Sequence, residues 1–158
     1  MLLYGEPRLT KDIDITVGAN VDRLEELLSM VKELSLDPLP ENVPSFVQKT
    51  MVLPVLDRNT GIRVDFIFSF TPYETQAIER AKKVLIYGQE INFASVEDLI
   101  IHKIFAGRPR DLEDVRTLLL KNPGIDVPYI KLWLNEFDAA VEEKRFLETF
   151  EGILRHNL

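Results

Sequence analysis

Asp12 and Asp14 lie two residues apart in Thr10-Lys11-Asp12-Ile13-Asp14-Ile15-Thr16-Val17, a segment that otherwise reads as a β-strand. Asp65 sits in the same kind of pattern, Arg63-Val64-Asp65-Phe66-Ile67-Phe68. Strand interiors are depleted in Asp, so three of them in two strands constrain what the chain can become. Side chains alternate across a strand with a rise of roughly 3.3 Å per residue, which puts Asp12 and Asp14 on one face roughly 6–7 Å apart. Ile13, Ile15 and Val17 take the opposite face, and the pattern predicts that they enter a core. Val64, Phe66 and Phe68 share one face of the second strand, with Arg63, Asp65 and Ile67 on the other. If the two strands are neighbours, three carboxylates meet on one patch. Carboxylates that close repel one another unless a cation or protons intervene. Oxygen ligands of this kind hold hard divalent cations such as magnesium.

The 158-residue length fits about one domain. The formal net charge of −7 argues against a bulk electrostatic grip on nucleic acid, while leaving room for a local basic patch. There is no cysteine, hence no disulfide and no thiolate zinc site. No apolar run reaches transmembrane length, and Tyr4-Gly5-Glu6-Pro7-Arg8 does not resemble a secretory leader. The expectation is a cytoplasmic protein with no membrane association.

The order of predicted elements is α+β. A strand over 13–17 ends at Gly18, and Asn20 caps a helix over about 21–35. Pro38, Pro40 and Pro44 mark an irregular loop. A strand over 47–56, the turn Asp57-Arg58-Asn59-Thr60-Gly61 and a strand over 62–68 make an antiparallel hairpin. The pair formed by the first strand and the next is parallel if the helix between them is the crossover. Thr71-Pro72-Tyr73-Glu74 is a capping box opening a helix to about Lys83. A short hairpin over 84–87 and 90–93 follows. Ser95-Val96-Glu97-Asp98 resembles a capping box with Asp in place of Glu, and its helix runs to about Ala106. Helices over 110–121, 127–138 and 142–156 complete the chain. We therefore expect a mixed sheet flanked by helices over 1–95 and a helical part over 96–158, the two forming one compact body.

Two further residues are unusual for their positions. Lys103 falls in the apolar stripe of Val96, Leu99, Ile100 and Ile104. Either it snorkels to water or it delivers its ammonium to a buried carboxylate or phosphate. Asp111 shares a helical face with Val115 and Leu118, where a first-turn carboxylate also favours the helix dipole. A pairing of Lys103 with Asp111 would account for both. Asp114 reads as nearer the solvent, and His102 as a surface or packing residue. The basic group Lys103, Arg108 and Arg110 reads as a solvated loop or as a phosphate contact.

Gly5-Glu6-Pro7-Arg8-Leu9-Thr10-Lys11-Asp12-Ile13-Asp14-Ile15 resembles the G-x-x-R-x-T-x-D-[IL]-D signature of nucleotidyltransferase-fold proteins, in particular the AbiEii-like branch of abortive-infection and toxin–antitoxin pairs. Lys103-Ile104-Phe105-Ala106 and Arg110-Asp111-Leu112-Glu113-Asp114-Val115 are similar to the helical Lys and the R-D-x-x-D run of that branch. The resemblance implies a nucleotidyltransferase-like mixed sheet and a magnesium (or manganese) site formed by Asp12, Asp14 and Asp65. It also implies an NTP as substrate. Arg8, Thr10, Lys103 and Asp111 would serve nucleotide binding, with Lys103 reaching a phosphate or orienting the acids. The Gly-Gly or Gly-Ser pair that precedes this stretch in the family is not in the sequence; Leu2-Leu3-Tyr4 read as the last turn of a helix capped by Gly5. Two expectations follow, a start upstream of Met1 or loss of the element.

Three functions are in play: a magnesium-dependent transferase moving a nucleoside monophosphate from an NTP to a hydroxyl, a catalytically degenerate binding partner of the same fold, and a metal-dependent phosphohydrolase. The acceptor of the transferase would be RNA, a protein side chain or a small molecule. An antitoxin-type protein is the expected partner.

Overall fold

The computed structural model of the chain describes residues 4, 12–69, 71–142 and 144–156. Contacts divide these into two units: described residues 12–79 form the first, and Tyr4 with the described residues from Arg80 onward forms the second. The architecture is α+β, with a four-stranded mixed sheet, a two-stranded hairpin and helices.

In the first unit, β1 (Asp12–Val17) leads through a 3-10 turn (Val21–Arg23) into α1 (Leu24–Glu33). The Asn20 side chain accepts from the Val21 amide, so it caps this segment as its position in the sequence predicts. A two-residue strand, β2 (Asp37–Pro38), precedes α2 (Val43–Thr50), β3 (Val52–Asp57) and β4 (Ile62–Phe68). α3 (Pro72–Glu79) closes the unit, and Glu74 accepts from the Thr71 amide as a capping box requires. The sheet order is β1-β4-β3-β2. β3 and β4 are the predicted antiparallel hairpin, whereas β1 pairs in parallel with β4 rather than with β3, the next long strand in the chain.

The predicted strand over 47–56 is corrected: its first half is the helix α2. Asn42 accepts from the Ser45 amide, and Pro44 occupies the first turn, where its missing N–H costs nothing. Met51 at φ 59° ends α2, and the extended segment starts only at Val52. The irregular proline loop is correspondingly shorter and contains β2.

Leu24, Leu27 and Val31 from α1, Val47 from α2, Leu53 and Val55 from β3, and Val64, Phe66 and Phe68 from β4 make the core of this unit. The same alternation exposes the other face of β4. The expected burial of β1, however, holds only at its end. Val17 packs against the core, while Ile13 and Ile15 are 46% and 39% exposed. The reason is geometric: β1 is an edge strand, and α1 and α2 contact β2 and β3, toward the opposite edge.

The second unit contains the hairpin β5 (Lys82–Ile86) and β6 (Gln89–Phe93), then α4 (Val96–Ala106), α5 (Pro109–Lys121), α6 (Val127–Ala140) and α7 (Phe146–His156). The third helix of the chain thus stops at Glu79 rather than near Lys83, and the residues beyond it supply β5. α4 packs against α5, α6 and α7 together, so burial extends around most of its circumference: Ile100, Ile101 and Ile104 are fully covered, and Glu97, Asp98 and Lys103 are buried with them. Val115 and Leu118, Ile130 and Leu134, and Phe150 and Ile153 supply the facing sides of the other three helices. Ser95 caps α4 through the Asp98 amide, and Gly107, at φ 65°, terminates it in the left-handed conformation glycine favours. Among the described residues, no helix is long and apolar enough to cross a membrane.

Candidate active site

The parallel ladder settles the relative position of the three aspartates. Asp12 lies beside Arg63, Ile13 beside Val64, and Asp14 beside Asp65. Neighbouring residues across a ladder point to the same side, so Asp12, Asp14, Arg63 and Asp65 occupy adjacent positions on one face. Val64 and Phe66 mark the opposite, core-facing side. The sequence-derived face assignment for the acids is therefore what β1 and β4 display.

The charges on this face are organised around Arg63. Its Nε donates to Asp65 Oδ1 at 2.7 Å. That hydrogen bond raises the guanidinium pKa above its ordinary value; slight burial opposes it, and the charges of Asp65, Asp12 and Asp14 reinforce it. Among the described residues, no three His, Asp or Glu side chains are drawn together tightly enough to form a ready ligand set. In chemical type alone the three carboxylates are the oxygen donors that hard divalent ions take. Exposure is uneven across the face: the Arg63 side chain is about half exposed, and that of Asp65 is largely covered.

Lys103 and Asp111 are found together in the second unit, as their positions in the sequence suggest. Lys103 Nζ donates to Asp111 Oδ1 at 3.2 Å and to Asp114 Oδ2 at 2.6 Å. All three residues are buried, so Lys103 does not snorkel. The placement of Asp114 nearer the solvent is corrected: it stands three residues after Asp111, on the same face of α5, and is 8% exposed. Arg108 donates to Asp111 from the surface side. Burial opposes ionisation of Asp111, but hydrogen bonds from Arg108 and Lys103 outweigh it and hold the carboxyl below its usual range. His102 is exposed. Arg8 and Thr10 lie outside the described residues.

A second polar cluster was not anticipated. Asp98 is fully buried and accepts from the Tyr129 hydroxyl at 2.9 Å and from the Ser95 hydroxyl at 2.5 Å. The Arg80 guanidinium lies over the Tyr129 ring, 3.9 Å from its centroid, and within 3.5 Å of Glu97. Burial, and then the neighbouring Asp98, push the Tyr129 hydroxyl well above its ordinary pKa. Glu97 also accepts from the Asp126 amide, at the start of α6. This cluster ties α4 to α6. Its only trace in the sequence is an acidic pair in the first turn of a helix, which the helix dipole explains equally well.

A four-stranded mixed sheet with paired acids on an edge strand, and a helical part with a buried Lys and two Asp, are the features expected of a nucleotidyltransferase-like protein. The profile of the family described as "Nucleotidyl transferase AbiEii toxin, Type IV TA system" matches residues 1–154, and the chain belongs to that family. No curated protein matches the chain.

Proposed function

We propose that this protein is a magnesium-dependent nucleotidyltransferase that moves a nucleoside monophosphate from an NTP to a hydroxyl acceptor on RNA or protein, and that it is the toxin half of a pair whose other half is a protein antitoxin. Manganese is the alternative ion. The observation that carries the reading is the register that brings Asp12, Asp14 and Asp65 to one face of adjacent strands in a chain of this family.

In this reading Asp12 and Asp14 hold the divalent ion with the triphosphate, and Asp65 completes the second cation position. When bound, such an ion would supply stabilisation of the charge on the phosphates during an in-line displacement. Asp65 lies one strand over from Asp14 and accepts the proton of the acceptor hydroxyl. The hydroxyl oxygen forms a bond to the α-phosphorus, the bond to the β-phosphate oxygen breaks, and pyrophosphate leaves with the electron pair. Arg8, Thr10, Lys103 and Asp111 complete the proposal as the nucleotide-binding residues that membership of the family suggests.

Thermal melts in the presence of magnesium and each of the four NTPs test the binding half of this reading. A ligand that binds only the folded chain raises its melting temperature by mass action. Magnesium and an NTP together should stabilise the wild-type chain more than either alone, and the Asp14→Asn chain should lose that increment. An Asp14→Asn chain stabilised as much as the wild type would remove the acidic face from the site.

A further inference from the structure

Of the four tyrosines in the chain, Tyr87 alone holds its hydroxyl in water. The hydroxyls of Tyr4 and Tyr73 are buried, and that of Tyr129 donates to buried Asp98. Tyr87 is fully exposed and stands at the tip of the second unit's hairpin. Ile86 ends β5, Gln89 begins β6, and the two pair with each other, so Tyr87 and Gly88 are the whole turn. Both have positive φ, 49° and 80°. Two-residue turns of that kind match the twist of a hairpin, and they favour Asn, Asp or Gly because a larger side chain crowds the left-handed backbone. Tyrosine is therefore an unfavourable residue for the first position, and a ring that nothing covers gains no packing to offset it. Strained backbone of this kind clusters at functional sites.

A transferase of the proposed kind needs a hydroxyl that is accessible and not already engaged. Ser29, Thr50, Thr75, Thr117 and Thr149 donate theirs to the carbonyl four residues back in their own helices. Such short side chains lie along a helix surface. The Tyr87 hydroxyl is carried at the far end of a rigid ring on a projecting turn, with no covering group in its own chain, and so can enter the face of another.

We propose that Tyr87 is an acceptor of this protein's own transferase reaction, presented by its hairpin to the acidic face of a second copy. The proposal rests on the nucleotidyltransferase reading of that face and names a protein acceptor for it. The Tyr87 oxygen forms a bond to the α-phosphorus of the NTP, and the bond to the β-phosphate oxygen breaks. Pyrophosphate leaves with the electron pair, and the phenolic proton passes to Asp65 of the second copy. The product is a nucleoside monophosphate in phosphodiester linkage to tyrosine. Because the ring is uncovered, the attached nucleotide displaces no part of the fold.

The test separates catalyst from acceptor. A Tyr87→Phe chain serves as catalyst, and an Asp14→Asn chain carrying a size tag serves as acceptor. Each alone, and the two mixed, are incubated with magnesium and each of the four NTPs labelled with 32P at the α-phosphate, and mass spectrometry locates the modified peptide. Label should appear on the Asp14→Asn chain only in the mixture, at Tyr87, and should be lost when the acceptor carries both Asp14→Asn and Tyr87→Phe. Circular dichroism checks that each chain is folded, and the wild type replaces Tyr87→Phe as catalyst should that chain fail to fold. Label at a different residue overturns the proposal. So does an unlabelled acceptor when the same catalyst transfers label to added RNA or protein, or label that the wild type places on itself but never on the Asp14→Asn chain. Failure of the underlying reading looks different: the wild type then labels neither itself nor any added acceptor, and the proposal falls with it.

Discussion

Asp14 on β1 lies directly opposite Asp65 on β4 in a parallel ladder, two carboxylates facing each other across one strand spacing. Like charges in that arrangement destabilise a sheet by roughly 0.2–1 kcal/mol. Asp14→Asn removes the repulsion without changing the side chain's shape. Relief of that repulsion offsets part of what the metal-free variant loses in Asp14's other interactions, so it should stay folded with a melting temperature near that of the wild type. Its divalent-ion affinity should fall by about 100-fold or more, since loss of an outer partner of a ligand alone costs about 10–100-fold. Melting curves and manganese titrations read the two effects separately. A variant that loses both stability and metal affinity would make Asp14 a structural residue.

Lys103 should behave in the opposite way. It is buried between Asp111 and Asp114, and Lys103→Met would leave two carboxylates covered and facing each other. Breaking a buried pair from one side costs about 3–5 kcal/mol. Urea unfolding should show a loss of that order in Lys103→Met and a smaller loss in Lys103→Met combined with Asp111→Asn. Equal losses in the two variants would mean that the Lys103–Asp111 contact is not energetically coupled.

Asp111 predicts the acid limb of the stability profile. Its folded-state pKa lies below its ordinary value, so the folded chain keeps the carboxylate charged where the unfolded chain protonates it. Its contribution is complete above about pH 5 and is lost as the pH falls below about 3.9. Asp111→Asn should be less stable than the wild type at pH 6, and the difference should narrow toward pH 3. Melting temperatures across that range check it; a constant difference at every pH would contradict the assignment.

Much of the fold was legible because single residues gave unambiguous local signals. Asn20, Thr71 with Glu74, and Ser95 cap the segments they were expected to cap, and Gly107 ends α4. The Asp12–Asp14 alternation showed which face carries the acids, but the pairing of β1 with β4 rather than with the next strand is a tertiary fact that local pattern left open. The α2 segment was misread because Val47, Val52 and Val55 suit a strand equally well, and the deciding signals, the Asn42 cap and Pro44, lay in a stretch taken for loop. The exposure of Ile13 and Ile15 depends on which strands the helices cover, a tertiary fact that no local pattern encodes. Asp114 and the Asp98–Tyr129 cluster were missed for a related reason. An acidic residue on a helix reads as solvated until several other helices are known to pack around it.

The Tyr129 hydroxyl supplies one of the hydrogen bonds that satisfy buried Asp98. Tyr129→Phe keeps the ring beneath Arg80 and removes that donor alone. Leaving a buried acceptor short of a partner costs about 1–3 kcal/mol. Thermal or chemical denaturation should show that loss, and an unchanged stability would mean that the Ser95 hydroxyl and Arg80 already satisfy Asp98.

Transfer of label from NTPs tests the proposed chemistry most directly. The wild-type chain is incubated with magnesium, total RNA and soluble cell protein as the acceptor pool, and each NTP labelled with 32P at the α- or the γ-phosphate. The account predicts that α-label becomes covalently attached to RNA or protein, that γ-label leaves as pyrophosphate, and that Asp14→Asn and chelation of magnesium both abolish the transfer. Release of inorganic phosphate with no labelled acceptor, or transfer that persists in Asp14→Asn, would contradict it.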